Sequence, residues 1–166
     1  MALTKEILAL LIPDNEEIIN YTHRTDNEDV AKNIVTNGLK FTESFYKTTD
    51  IVINNPVNLN YVSLLRKAYG KYVIVISFAK EVIKHYESIL FKKLQSNIVE
   101  VQQILTETEP GLNEDNEEVF TLSRYFIKGY FNEETENVIY NPDFDPYFKS
   151  AVFITNIERM KSALNT

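Results

Sequence analysis

The chain contains no cysteine. That single absence removes disulfides, thiolate zinc sites, iron–sulfur clusters and cysteine nucleophiles together. Histidine is nearly as scarce: only His23 and His85 occur, so a multi-histidine metal site is hard to assemble. The four glycines are too few for most nucleotide-binding loops that need close backbone approach to phosphate. No Gly-rich phosphate loop, GxSxG elbow, HExxH pair or kinase signature set is present. Basic residues are outnumbered, 17 against 24 acidic, for a net charge of -7. That balance argues against a protein held to nucleic acid mainly by phosphate neutralisation, and against binding to anionic membranes. Long apolar runs are missing too. The opening MALTKEILALLIPDNEE is broken by Lys5 and Glu6 and stopped by Pro13, too short to span a bilayer and without the marks of a secretory signal.

What remains is ordinary for a globular domain. Of the 166 residues, 44% are hydrophobic and 25% charged, which disfavours disorder and supplies enough chain for a sizeable core. No repeat or linker divides the chain, so one domain over residues 1–166 is expected, with a cytoplasmic location as the default. The skew towards Ile, Asn, Lys, Tyr and Phe suits an AT-rich genome, such as that of a low-GC bacterium or a phage.

The first element reads as a short amphipathic helix with Thr4 as its N-cap. Ile18 to Thr25, IINYTHRT, reads as a strand ending in polar residues. DNEDVAKNIVTNGL follows as a helix with Asp26 as N-cap, acids in its first turn, Val30, Ile34 and Val35 on its apolar face, and Gly38 as its stop. Lys40 to Asn60 is a polar, aromatic stretch longer than most loops, so it is a binding loop or hides a short strand. LNYVSLLRKAY is expected to be helical and to end before Gly70. Lys71 to Phe78, KYVIVISF, is a β-branched run typical of a buried strand. Ala79 to Glu107 predicts one or two amphipathic helices. Glu107 to Glu118 predicts an acidic loop whose NEDNEE run lacks the glycine and spacing of an EF-hand. VFTLSRYFIKGYF and ENVIY read as strands joined through Asn132–Glu136, NPDFDPYF as turns, AVFITN as a last strand and the end of the chain as a helix. Strands and helices mix without regular βαβ alternation, so the class is α+β, a split, mixed or antiparallel sheet with flanking helices.

One constellation can carry chemistry. His23 and Thr25 lie two apart at a strand end, so the period of two points both side chains the same way. A neutral imidazole and a hydroxyl can grip a ribose or an amide. The following helix offers little to phosphate, because acids fill its first turn. The bland alternative is a strand end followed by a helix cap. His85 reads as a helix residue, Asp143 and Asp145 as a turn, and Lys92–Lys93 as too small a basic patch for nucleic acid. Phe41, Phe45 and Tyr46 are the aromatics best placed to stack on a ring.

The run YTHRTDNEDVAKNIVTNGLKF resembles the opening of ADP-ribosyltransferase-like domains, in which a strand carries His-x-Thr or His-x-Ser and a short helix leads to Gly-Leu. AYGKYVIVISFAKEVI resembles the middle of such domains and VFTLSRYFIKGYFN their late strands, so the likeness covers residues from about 20 to 140. It implies that His23 and Thr25, with Arg24 nearby, hold the nicotinamide ribose and carboxamide of NAD. It also implies NAD contacts at Gly38, Tyr46 and Tyr69; Tyr61, Thr42 and Ser44 compete with Tyr46 and Tyr69 for the family's middle position. Glu118 becomes the first choice for the catalytic carboxylate, acting with His23, and Glu117 the second. Such a carboxylate would hydrogen-bond a ribose hydroxyl and stabilise the oxocarbenium-like transition state as nicotinamide leaves. Where the family often shows a glutamate in the late strands, this chain has Arg124 and Tyr125.

Two functions follow from these observations. One is an NAD-dependent mono-ADP-ribosyltransferase of compact bacterial or phage type, acting on a protein or, less favoured by the charge, a nucleic acid. The other is a non-enzymatic interaction or inhibitor protein whose acidic surface docks on a basic partner. An RNA 2′-phosphotransferase is disfavoured by the scarcity of arginine.

Overall fold

The computed structural model describes residues 4–42, 49–51, 69–81 and 111–149, together with Ile154 and Glu158. Helix α1, Lys5–Leu11, starts at Thr4, whose hydroxyl accepts the Ile7 N–H at 3.2 Å. Ile7, Leu10 and Leu11 recur at the spacing that puts them on one face, and that face is fully buried. Strand β1, Ile18–Thr25, has the bounds expected from its sequence. Its Asn20 carboxamide donates to the Leu10 and Leu11 carbonyls at 3.4 and 2.9 Å. Those two bonds satisfy orphan carbonyls at the end of α1 and tie the helix to the sheet.

Helix α2, Glu28–Asn37, is capped by Asn27 rather than Asp26. The Asn27 side-chain oxygen accepts the Asp29 and Val30 N–H groups at 2.8 and 3.4 Å. Strand pairing holds the chain extended through Thr25, leaving Asp26 as the bend and making its neighbour the cap. The apolar face is also rotated from the expected one: Ala31 and Ile34 are buried and Val35 packs beside them, but Val30 is exposed. Successive helical residues lie about 100° apart, which leaves Val30 at the rim of a face centred between Ala31 and Ile34. Gly38 ends the helix, its N–H donating to the Ile34 carbonyl at 2.8 Å. At φ +90°, and with room for a Cβ only 2.2 Å from the Leu122 carbonyl oxygen, no other residue fits there without movement.

The remaining described strands are β2 (Leu39–Phe41), β3 (Asp50–Ile51), β4 (Tyr72–Ala79), β5 (Gly111–Leu112), β6 (Glu118–Leu122), β7 (Ile127–Asn132) and β8 (Val138–Tyr140). They form a five-stranded sheet, β3-β1-β4-β7-β8, and a three-stranded sheet, β2-β6-β5. Every pairing among them is antiparallel. The fold is therefore a small α+β arrangement with two antiparallel sheets and two helices among the described residues.

Strand β4 is central, and all eight of its residues are buried. Ile74, Ile76 and Phe78 join Tyr21, Ala31, Ile34, Leu122 and Phe126 in one core, on the α2 side. Val73 and Val75 join Ile7, Leu10, Leu11 and Phe131 in a second, on the α1 side. A 3₁₀ turn, Arg124–Phe126, links the two sheets and sends Phe126 edge-on to Phe78, ring centroids 6.1 Å apart. The β7–β8 hairpin turns where expected: the Asn132 side chain accepts the Glu134 and Thr135 N–H groups at 2.9 and 3.1 Å.

Lys40–Asn60 contains short strand, one of the two alternatives its sequence left open, and the stretch Glu107–Glu118, read as an acidic loop, also contains strand. β2 and β3 fall wholly or partly within Lys40–Asn60, and β5 with the first residue of β6 within Glu107–Glu118. Strands of two or three residues are too short to show a period. In the expected strand AVFITN, Ile154 is helical, so the β-branched run does not decide the local structure there. Lys80 and Glu81 are helical, as expected, while the rest of the helical stretch to Glu107, and the helix expected before Tyr69, lie outside the described residues. No described helix is long and apolar enough to cross a membrane.

Candidate functional site

His23 and Thr25 lie on the half of β1 that pairs with the start of β4, His23 opposite Ile74 and Thr25 opposite Tyr72. They share a face with Tyr21, whose ring stacks on Phe78 at 5.3 Å, so both belong to the side of the sheet covered by α2. Both are half-buried, unlike the closed positions further along that face. The Thr25 hydroxyl oxygen accepts the Asn27 N–H at 3.3 Å, and an oxygen that accepts can still donate its hydrogen.

Arg24 turns the other way. Its guanidinium is ion-paired with Glu133 just beyond β7, with the two side chains 4% and 6% exposed, and its Nη1 also donates to the Gly70 carbonyl at 3.0 Å. Arg24 is thus an internal brace, not a neighbour of His23 and Thr25 on their face. Gly70 is held against the same strand end: at φ +136°, an added Cβ would lie 2.1 Å from the Thr25 carbonyl carbon. Tyr69, the residue before it, is 66% exposed.

The other expected site residues stand on other elements or fall outside the described residues. Gly38 packs on the Leu122 end of β6. Glu118 opens β6, paired with Leu112, four residues and about 13 Å of strand away from Leu122. Glu117 belongs to the β5–β6 turn, its N–H donating to the Asn113 side chain at 2.9 Å. Thr42 is exposed just after β2. Tyr46, Tyr61, Ser44 and His85 lie outside the described residues. Arg124 donates to Asp143 at 3.0 Å and lies over the Tyr125 ring, and Asp145 closes a turn by accepting the Tyr147 N–H.

Three residues not singled out from the sequence join the His23–Thr25 face. Tyr72 on β4 and Tyr130 on β7 direct their hydroxyls to Glu28 at the start of α2, donating to its two carboxylate oxygens at 3.5 and 3.3 Å. The Tyr130 pKa is pushed up to about 12, first by burial and then by the Glu28 charge. Lys32, one turn along α2, stands 3.8 Å from the same carboxylate. Among the described residues, no three His, Asp or Glu side chains gather so that they could hold a metal ion.

Comparison of the chain with protein-family models, with curated proteins and with solved structures finds no match. The chemistry of the β1–α2 corner is therefore what bears on function.

Proposed function

We propose that the protein binds NAD at the β1–α2 corner, in an ADP-ribosyltransferase-like domain, and transfers ADP-ribose to a protein acceptor. The observation that carries this reading is the common, half-buried placement of His23 and Thr25 on one face of β1, at a strand end that Gly70 packs against. A hydroxyl and a neutral imidazole suit the uncharged amide and sugar of a nicotinamide riboside better than they suit a phosphate. Division of the strands into two antiparallel sheets also agrees with a split-sheet domain.

The fit is selective. Acids in the first turn of α2 oppose phosphate, so the pyrophosphate would lie away from this corner. When bound, NAD would supply an ADP-ribosyl group, with nicotinamide departing. His23 and Thr25 would orient the sugar and amide, Arg24 would fix the strand end from behind, and Glu118 remains the nominated catalytic carboxylate.

The test is calorimetric NAD binding together with NAD-dependent labelling of lysate proteins, for the wild type, His23→Ala and Thr25→Ala. Loss of a hydrogen bond to a ligand costs about 1 kcal/mol, so each variant is expected to weaken binding roughly fivefold. Absence of both binding and labelling in the wild type, or a His23→Ala variant that behaves identically to it, refutes the reading.

A second reading has its own support. Glu114, Asp115 and Glu117 are exposed together at the tip of the β5–β6 hairpin, in a chain of net charge -7. A non-enzymatic protein docking on a basic partner would use that tip, and salt-sensitive capture of a basic protein, lost on replacing the three acids, would favour it.

A further inference from the structure

Among the described residues, strand β8 ends the larger sheet, with β7 on its inner side and no strand beyond it. The hydrogen bonds at its two ends fix which backbone groups face outward. The Asn132 N–H donates to the Asn137 carbonyl at 2.9 Å, and the Asn141 N–H to the Lys128 carbonyl at 3.0 Å. Both contacts keep the register in which Ile139 faces Tyr130, so Asn137, Ile139 and Asn141 are the residues bonded to β7. The residues between them turn their N–H and C=O groups to the other side. Val138 and Tyr140 therefore present both backbone groups to the open edge.

Proteins commonly guard such an edge with a lysine, a proline or a bulge inside the strand. β8 reads Val-Ile-Tyr in unbroken register, with Ile139 46% and Tyr140 50% exposed on opposite faces. The edge is also preformed: Val138 packs on the core beneath α1, and the Tyr140 hydroxyl donates to the Glu6 carbonyl at 3.2 Å. Three residues are too few to hold a second chain by backbone bonds alone, so a partner needs a further attraction. Charge supplies it. From Glu133 to Phe148 the chain has no lysine or arginine. Glu134 and Glu136 precede the strand, while Asp143 and Asp145 follow it. Glu136 is two residues from Val138 and Asp143 three from Tyr140, which places them within about 7 and 11 Å of the strand ends. Lys71 stands 3.8 Å from Glu134 and Arg124 3.0 Å from Asp143, but Glu136 and Asp145 make no ion pair with a described residue. A second copy of this chain is a poor occupant. Antiparallel pairing of two β8 strands about Ile139 would set Glu136 opposite Pro142 and Thr135 opposite Asp143, crowding carboxylates of both chains together.

We propose that the outer edge of β8 takes up an extended, lysine- or arginine-bearing segment of a partner protein as an added strand. Val138 and Tyr140 supply the backbone bonds, and Ile139 and the Tyr140 ring meet apolar side chains on the two faces. The acids at both ends of the strand select basic residues in the segment. This surface stands two strands away from β1, and nothing in it depends on NAD at the β1–α2 corner.

The probe is a peptide of about nine residues with alternating lysine and valine, titrated into the full nitrogen-15-labelled chain at low salt. Amide chemical shifts and hydrogen exchange report where it binds. The controls are the same peptide N-methylated at every internal amide, and a glutamate–valine peptide of equal length. With the lysine peptide, the Val138 and Tyr140 amides are expected to shift and to gain protection from exchange. The N-methylated peptide should bind about tenfold more weakly, and the glutamate peptide should not bind. Ile139→Lys, a change at an exposed side chain, should weaken the lysine peptide about tenfold by placing a like charge on the edge. Glu134→Gln combined with Glu136→Gln leaves the strand itself untouched and should weaken it about threefold, a difference that fades in about 0.5 M salt. Equal binding of the N-methylated peptide, or shifts confined to residues away from β8, overturns the added strand. A double glutamine variant that binds like the wild type at low salt overturns the preference for basic residues. A dimer in sedimentation that Ile139→Lys abolishes makes the occupant a second copy, and overturns the proposal as well.

Discussion

Replacing Arg24 by methionine tests how the strand end beside Thr25 is held. The change leaves the Glu133 carboxylate buried without its cation and frees the Gly70 carbonyl from its donor. Removing one member of a buried pair costs about 3–5 kcal/mol, mostly the uncompensated charge. That is a large share of the roughly 5–15 kcal/mol that holds a domain of this size together. Glu133→Leu should cost a similar amount, because the buried guanidinium then loses its carboxylate. With both changes present neither charge of the pair remains, and the residual loss includes the Gly70 carbonyl, about 1–3 kcal/mol. The double variant should therefore be more stable than either single variant. Equilibrium urea unfolding, followed by far-ultraviolet circular dichroism because the chain has no tryptophan, measures all four proteins. Single-variant losses that add within about 0.5 kcal/mol would show that the two groups do not depend on each other. The brace described for the strand end would then be wrong.

Two further outcomes bear on the same frame. Gly38→Ala should destabilise by about 2 kcal/mol or more, since the new methyl must displace the Leu122 carbonyl and φ +90° is strained for alanine; a urea midpoint equal to that of the wild type refutes the packing. Tyr130 keeps its proton more tightly in the folded state, with its pKa raised from 10.0 to about 12. Its contribution is complete below pH 10 and is lost as the pH rises towards 12. Unfolding free energy measured across that window should fall, and Tyr130→Phe should flatten the fall; an unchanged slope counts against the Tyr130–Glu28 contact.

The elements legible in the sequence are those whose residues carry a local pattern. β1 closes on its polar run Thr22–Thr25, β4 is a largely apolar run buried on both faces, and Gly38 punctuates α2 as its position suggests. Asn27 displaces Asp26 as the cap because tertiary pairing with β4 decides how far β1 continues, which no local rule contains. The same limit governs the site. His23 and Thr25 can be grouped because they are two residues apart. The partners of Arg24 and Glu28 lie far along the chain: Glu133 is 109 residues from Arg24, and Tyr72 and Tyr130 are 44 and 102 residues from Glu28. From the sequence, Glu28 is only a first-turn acid, and the two tyrosines are ordinary strand aromatics.

Placing one strand at the middle of both cores also governs how the protein can be made. During synthesis the segments forming α1, β1, α2 and β2 leave the ribosome well before β4, so neither apolar face has its opposite wall. Closure waits longer still for β7, which flanks β4 on its other side and supplies Phe131 and Tyr130. Most pairings in the larger sheet are thus deferred until late in translation, and the early chain must keep Ile7, Leu10, Leu11 and Ile34 from mispairing in the meantime. A nascent chain stalled before Tyr72 is expected to be sensitive to proteases throughout, whereas one stalled with β7 and β8 fully emerged is expected to be protected over both sheets.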